Sequence, residues 1–140
     1  MKTLKKIVVF ILLVAVCGVI FLFCMKKDEL SDKEKVILSN ATERESYLNI
    51  KGWDVTQISS DEVQIPGDFE GVYKVYAQVQ QKQSLPLAEY KGRSVERFLY
   101  RVNNYNGDSE IYAELLISEN NLVAAALIQQ IPDGFIKPIY

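Results

Sequence analysis

The chain has 140 residues with 16 basic and 18 acidic side chains, no histidine and two cysteines. That length holds one membrane segment and one small domain, with no room for a second. The absence of histidine removes Ser-His-Asp and Cys-His nucleophile arrangements, histidine acid–base catalysis and the usual zinc sites.

The first element is the apolar run "IVVFILLVAVCGVIFLFCM", Ile7 to Met25, flanked by lysines on both sides. As a helix it extends about 28 Å, close to the hydrocarbon thickness of a bilayer. A cleavable signal has a shorter apolar region and small residues at its cleavage site, whereas this run ends in Phe21, Leu22, Phe23, Cys24 and Met25. Val16 before Cys17 and Phe23 before Cys24 do not suit lipidation. The reading is an uncleaved transmembrane anchor within residues 1–27, a juxtamembrane linker over 28–40 and an extracytoplasmic domain over 41–140. Lysine counts on the two flanks are nearly even, so orientation rests on the usual N-inside outcome for a first segment with a short basic tail.

Both cysteines lie inside the run, which leaves the domain without disulfide or thiol. From Asp28 onward there are eleven basic and eighteen acidic residues, a formal charge of −7. Such a domain does not bind nucleic acid by bulk electrostatics.

Along the domain, "VILSN" suggests a short strand. "TERESYLNIKGW" predicts a helix with Thr42 as cap, Glu45 completing a capping box, Tyr47 and Leu48 facing inward and Gly52 ending it. Trp53–Ile58 and Val63–Ile65 predict two short strands around an "SSDE" turn. A helix follows from about Phe69 to Gln83, capped by Asp68, with Phe69, Val72, Tyr73, Tyr76 and Val79 on one face. "SLPLAEYKG" is a connecting loop.

Asn106-Gly107 is a strong two-residue hairpin signal. With Tyr105 opposite Asp108, Val102 faces Ile111, Tyr100 faces Ala113, Phe98 faces Leu115 and Glu96 faces Ile117, giving one nearly apolar face. A second hairpin turning at Asn120-Asn121 places Ala124 beside Ile117, Ala126 beside Leu115 and Ile128 beside Ala113. The small alanines leave room on that face for the Phe69 helix. The fold class is therefore α+β: after the transmembrane helix, a small domain of two helices packed on an antiparallel sheet.

The opposite face carries Arg97, Leu99, Arg101, Glu110, Tyr112, Glu114, Leu116, Val123 and Leu127, too apolar for a plainly solvated surface. Either the Thr42 helix, the N-terminal strand segment or the tail "GFIKPIY" covers part of it, or a partner does. Arg97, Leu99, Arg101, Tyr112 and Leu116 form the candidate interaction face. Arg93, Arg97 and Arg101 recur every four residues, a stripe suited to an anionic envelope polymer or acidic peptide. Glu114, diagonal to Arg97 and Arg101, offers cross-strand charge pairing as the simpler account.

No catalytic, cofactor-binding or metal-ligating set is identified. The seven glycines are scattered and form no phosphate loop. Asp61 with Glu62, or Glu110 with Glu114, are formal carboxylate pairs for a glycosidase, without a cleft pattern to support them. "NNYNGDSE" matches a calcium loop only in part.

"ATERESYLNIKGWDV", "VQIPGDFEGVYKVYAQVQQKQ" and "YKGRSVERFLYRVNNYNG" together resemble the bacterial family known as domain of unknown function 4830, over about Ala41 to Phe135. Asn106 stands where proline is expected in that family's turn. The resemblance implies a small protein with an N-terminal anchor or signal and carries no assigned activity, cofactor or catalytic residue. The expectation is a noncatalytic interaction or accessory module of the bacterial cell envelope, single-pass with its N-terminus cytoplasmic, working with an envelope protein. The alternative is a binder of an anionic envelope ligand through the arginine stripe.

Overall fold

The structure, a computed structural model, describes residues 34–140. The apolar run expected to span the membrane lies outside these residues. No helix among the described residues is long and apolar enough to cross a membrane.

Helix α1, Ala41–Ile50, has its cap two residues earlier than the sequence suggests. Asn40 caps it, its side-chain oxygen accepting the Glu43 N–H at 3.0 Å. The Glu43 carboxylate returns to the Ser39 N–H. The capping role thus falls to Asn40 and Glu43 rather than Thr42 and Glu45, because Asn40 holds the extended backbone that a cap requires. Gly52, at φ +97°, ends the helix as expected. The Trp53 N–H reaches back to the Leu48 carbonyl and the Gly52 N–H to that of Asn49, the paired bonds of a Schellman motif.

Strand β1, Val55–Gln64, is one continuous strand with a bulge between Gln57 and Ser59. The expected "SSDE" turn is absent: without glycine or proline, this polar run continues along the long strand beside it. Helix α2, Val72–Lys82, starts at Gly71 with φ +56° rather than at an Asp68 cap. A single 3-10 turn, Leu87–Tyr90, lies in the expected loop and buries Leu87. Strands β2 (Ser94–Val102), β3 (Tyr112–Ser118), β4 (Asn121–Ile128) and β5 (Ile136–Lys137) complete an antiparallel sheet of order β1-β2-β3-β4-β5.

The β2–β3 register agrees with the sequence reading: Glu96 opposes Ile117, Phe98 opposes Leu115 and Tyr100 opposes Ala113. The connection is not the expected two-residue turn. Neither Asn106 nor Gly107 has positive φ, and the loop is instead held from its base. The Asn103 N–H donates to the Asp54 carbonyl, and the Asn104 side chain accepts the Asp54 N–H and donates to the Gly52 carbonyl.

The second hairpin turns at Glu119-Asn120, both at positive φ, one residue before the predicted position. With an irregularity at Leu116/Ile117, β4 moves by one residue: Ala124 opposes Leu116, Ala125 opposes Leu115 and Ala126 opposes Glu114. A one-residue shift exchanges the two faces of a strand.

The helices consequently exchange sides. One core contains Phe98, Tyr100, Val102, Ala113, Leu115, Ala125 and Leu127, closed by Leu48 of α1, Leu38 and Ile139. The Thr42 helix and the N-terminal segment, expected on the mixed face, are here, and the tail is divided: Phe135 and Ile139 pack on this core and Ile136 against the other. The other core holds Val95, Leu116, Val123, Ala124 and Ala126 beneath Tyr76 and Val79 of α2. Fully burying one such aliphatic side chain contributes about 1.5–3 kcal/mol. Arg44 enters the first core, its guanidinium 3.7 Å from the Phe98 ring centroid and its Nε donating to the Tyr100 hydroxyl at 3.0 Å.

Candidate functional site

Helix α2 packs against β4 and β5, and therefore covers only part of its sheet face. Beyond it the face is formed by Asp61 of β1, Arg97, Leu99 and Arg101 of β2 and Tyr112 and Glu114 of β3. Strand alternation places Arg97, Leu99 and Arg101 on one side, as the sequence implies. Arg101 is exposed, and Arg97, Leu99 and Tyr112 are partly so. Leu116, assigned to the same face, is 2% exposed. It points to the correct side but lies in the α2 core, so it is not a contact residue for a partner.

A cleft of about 310 Å³ follows the boundary between helix and open face. Val72, Tyr73 and Tyr76 form its helical wall, Val63 one end, and Arg97 and Glu114 part of its floor. Val72, expected in the core with Tyr73, Tyr76 and Val79, is instead 73% exposed on the rim. Further along the helix, Gln80 is buried beside Tyr76 and Val79.

The polar floor is a connected set. Arg97 grips Asp61 with two parallel bonds, Nε to Oδ1 at 3.0 Å and a terminal amino group to Oδ2 at 2.7 Å. Its other amino group is 4.0 Å from Glu114. Glu114 accepts the Tyr76 hydroxyl at 2.8 Å, tying α2 to β3. Burial raises the Glu114 carboxyl above its ordinary range, against the lowering effects of the Tyr76 hydrogen bond and Arg97. Burial and the neighbouring carboxylate together hold the Tyr76 hydroxyl protonated, well above the usual phenol range.

The sign of the pH dependence follows. A raised carboxyl binds its proton more tightly in the folded state, so stability falls as pH climbs from the ordinary carboxylate range through the raised value. Glu114→Gln keeps an acceptor for Tyr76 and removes the titrating group. Its urea midpoints are expected to lie on a flatter pH profile than those of the unaltered chain, with the advantage growing toward neutral pH. Parallel profiles would show that Glu114 is solvated.

The arginine stripe is not assembled. Arg93 precedes β2 and lies over the Tyr90 ring at 5.4 Å. Arg97 is engaged by Asp61, a partner missed in the sequence because its segment reads as a turn. Asp61 and Glu62, adjacent in an extended strand, point to opposite faces and do not converge as a catalytic pair. Tyr112 donates to Glu110 at 2.9 Å.

Residues 47–127 match the family described as Domain of unknown function (DUF4830). The chain belongs to this family. No curated protein and no solved structure matches it. The stretch matching DUF4830 begins at Tyr47 in α1 and ends at Leu127 in β4, and contains the whole open face with the helical wall of the cleft. The DUF4830 match leaves out Arg44, β5 and Ile139, which close the domain from outside it.

Proposed function

We propose that this DUF4830 protein is a noncatalytic interaction module of the bacterial cell envelope. The run Ile7–Met25 holds it in the cytoplasmic membrane as a single pass with the domain outside. Its partner is another envelope protein, and its net negative domain charge disfavours nucleic acid. The carrying observation is that α2 leaves uncovered a contiguous face of Arg97, Leu99, Arg101 and Tyr112 beside an aromatic-walled cleft. Mixed apolar and hydrogen-bonding surface of this kind suits protein contact. The anionic-ligand reading draws less support, since Arg97 is neutralised by Asp61 and Arg93 lies apart.

The test places a photo-reactive amino acid at Leu99 in the full-length protein in cells, with Ile50, fully outside the cores on α1, as control. A discrete heavier adduct from Leu99 identifies the partner. Labelling at Ile50 with none at Leu99 would rule the open face out.

A further inference from the structure

The two outer edges of the sheet are treated differently. The outer side of β4 is closed by three separate devices, the short β5 being one. At its start, the Leu38 N–H donates to the Asn120 carbonyl and the Leu122 N–H to that of Val36, both at 2.8 Å. At its middle, the Ala125 N–H donates to Gln80 Oε1 at 2.9 Å, and the Ala125 carbonyl accepts Gln83 Nε2 at 2.7 Å. At its end, β5 pairs with Leu127 and Ile128.

The outer side of β1 has no such cover among the described residues: its pairing is with β2 alone. The bulge lies at its N-terminal half, which leaves Ser59–Gln64 in regular register. The Ile65 N–H donates inward to the Arg93 carbonyl at 2.9 Å. By antiparallel alternation, Ser59, Asp61 and Val63 direct their backbone groups to β2, and Ser60, Glu62 and Gln64 direct theirs outward. Unpaired edge groups are a template for another strand.

Charge decides which strand fits. From Gly52 to Asp68 every charged side chain is acidic: Asp54, Asp61, Glu62 and Asp68. Glu62 stands directly opposite Glu96, and both line a cleft of about 260 Å³ with Glu119. Among the described residues no cation pairs with these three. A second copy of the chain would bring acidic β1 against acidic β1, which cross-strand repulsion disfavours.

We propose that the outer edge of β1, from Ser59 to Gln64, receives by strand addition an extended segment of another protein carrying lysine or arginine at alternate positions. Alternation sets the cations on one face beside Glu62 and Glu96, while main-chain bonds to Ser60, Glu62 and Gln64 hold the segment. Val63 and Gln64 of the same strand border the cleft, but the charged contacts, Glu62 and Glu96, lie on the sheet face opposite Arg97 and Leu99, so either reading can fail alone.

The test uses the full-length protein in nanodiscs of zwitterionic lipid, with an acetylated Lys-Val alternating hexapeptide and its Glu-Val counterpart as probes. The lysine peptide is expected to bind about tenfold more tightly, with the difference shrinking as salt screens it. It should slow amide exchange at Ser60, Glu62 and Gln64. Ser60→Pro removes one outward N–H and leaves the β2 ladder intact, so affinity should fall about tenfold at an unchanged thermal midpoint. Glu62→Lys should turn the preference toward the glutamate peptide. Equal binding of both peptides, protection elsewhere than the β1 edge, or self-association abolished by Ser60→Pro would each overturn the proposal. Should Ser60→Pro fail to fold, Glu62→Lys and the exchange pattern decide alone.

Discussion

A chain stopped after Pro138 is expected to lose about 3–5 kcal/mol of stability, whereas a chain stopped after Ile139 keeps nearly all of it. Ile139 is 1% exposed and belongs to the α1-side core. Its carbonyl accepts the Trp53 indole N–H at 2.6 Å, and its N–H donates to Gln83 Oε1 at 2.9 Å. Losing it opens a cavity of isoleucine size and leaves the Trp53 donor and Gln83 acceptor without these partners. Tyr140, at 67% exposed, contributes little, and the new terminal carboxylate at Ile139 still accepts the indole bond. For a domain of this size the first truncation should lower the thermal midpoint by more than about 10 °C. Equal midpoints for the two truncated chains would mean that the tail is not part of the core.

The sequence names the tail as a candidate cover but not the face it closes, because "GFIKPIY" has no periodicity; at Ile139 it acts through one side chain and two backbone groups. Where alternation was strong, the sequence was informative. The Phe98, Tyr100 and Val102 alternation against Ala113 and Leu115 set the β2–β3 register even though the Asn106-Gly107 turn did not form. In β4 the run "LVAAAL" is buried throughout, so both phases satisfied the pattern, and only the turn could choose between them. That turn uses Glu119 at φ +48°, an uncommon residue for left-handed backbone. The one-residue error then assigned the helices to the wrong faces.

The candidate face shows the same division. Period two brought Arg97, Leu99, Arg101 and Tyr112 together correctly, because strand direction alone fixes which side they occupy. Whether that side is open depends on where α2 lies, which the chain pattern does not state. Leu116 was therefore placed on the right face and under the wrong cover. Asp61 was hidden by the polarity of "SSDE": an exposed edge strand and a turn have similar composition. The glutamines that close β4 were hidden for a related reason, since a helical glutamine ordinarily reads as surface.

Gln80 provides the sharper test of that closure. It is 1% exposed, and its Oε1 accepts both the Ala125 N–H and Gln83 Nε2, while its own Nε2 has no partner among the described residues. Gln80→Ala leaves a cavity and an unpaired backbone donor, at an expected cost of about 2–4 kcal/mol. It also bares the middle of β4, so association that increases with protein concentration should accompany the loss. Gln80→Glu separates the acceptor from the amide. The introduced carboxyl keeps an oxygen for Ala125, but burial disfavours its charged form and raises its folded-state pKa above the ordinary carboxylate value. The folded state then holds the extra proton as pH rises through that window, and stability declines with it. The variant should therefore approach the unaltered chain in acid and fall away toward neutral pH, on a profile steeper than the one Glu114 already imposes. If the two profiles remain parallel, position 80 meets water, and the edge of β4 is not closed by this side chain.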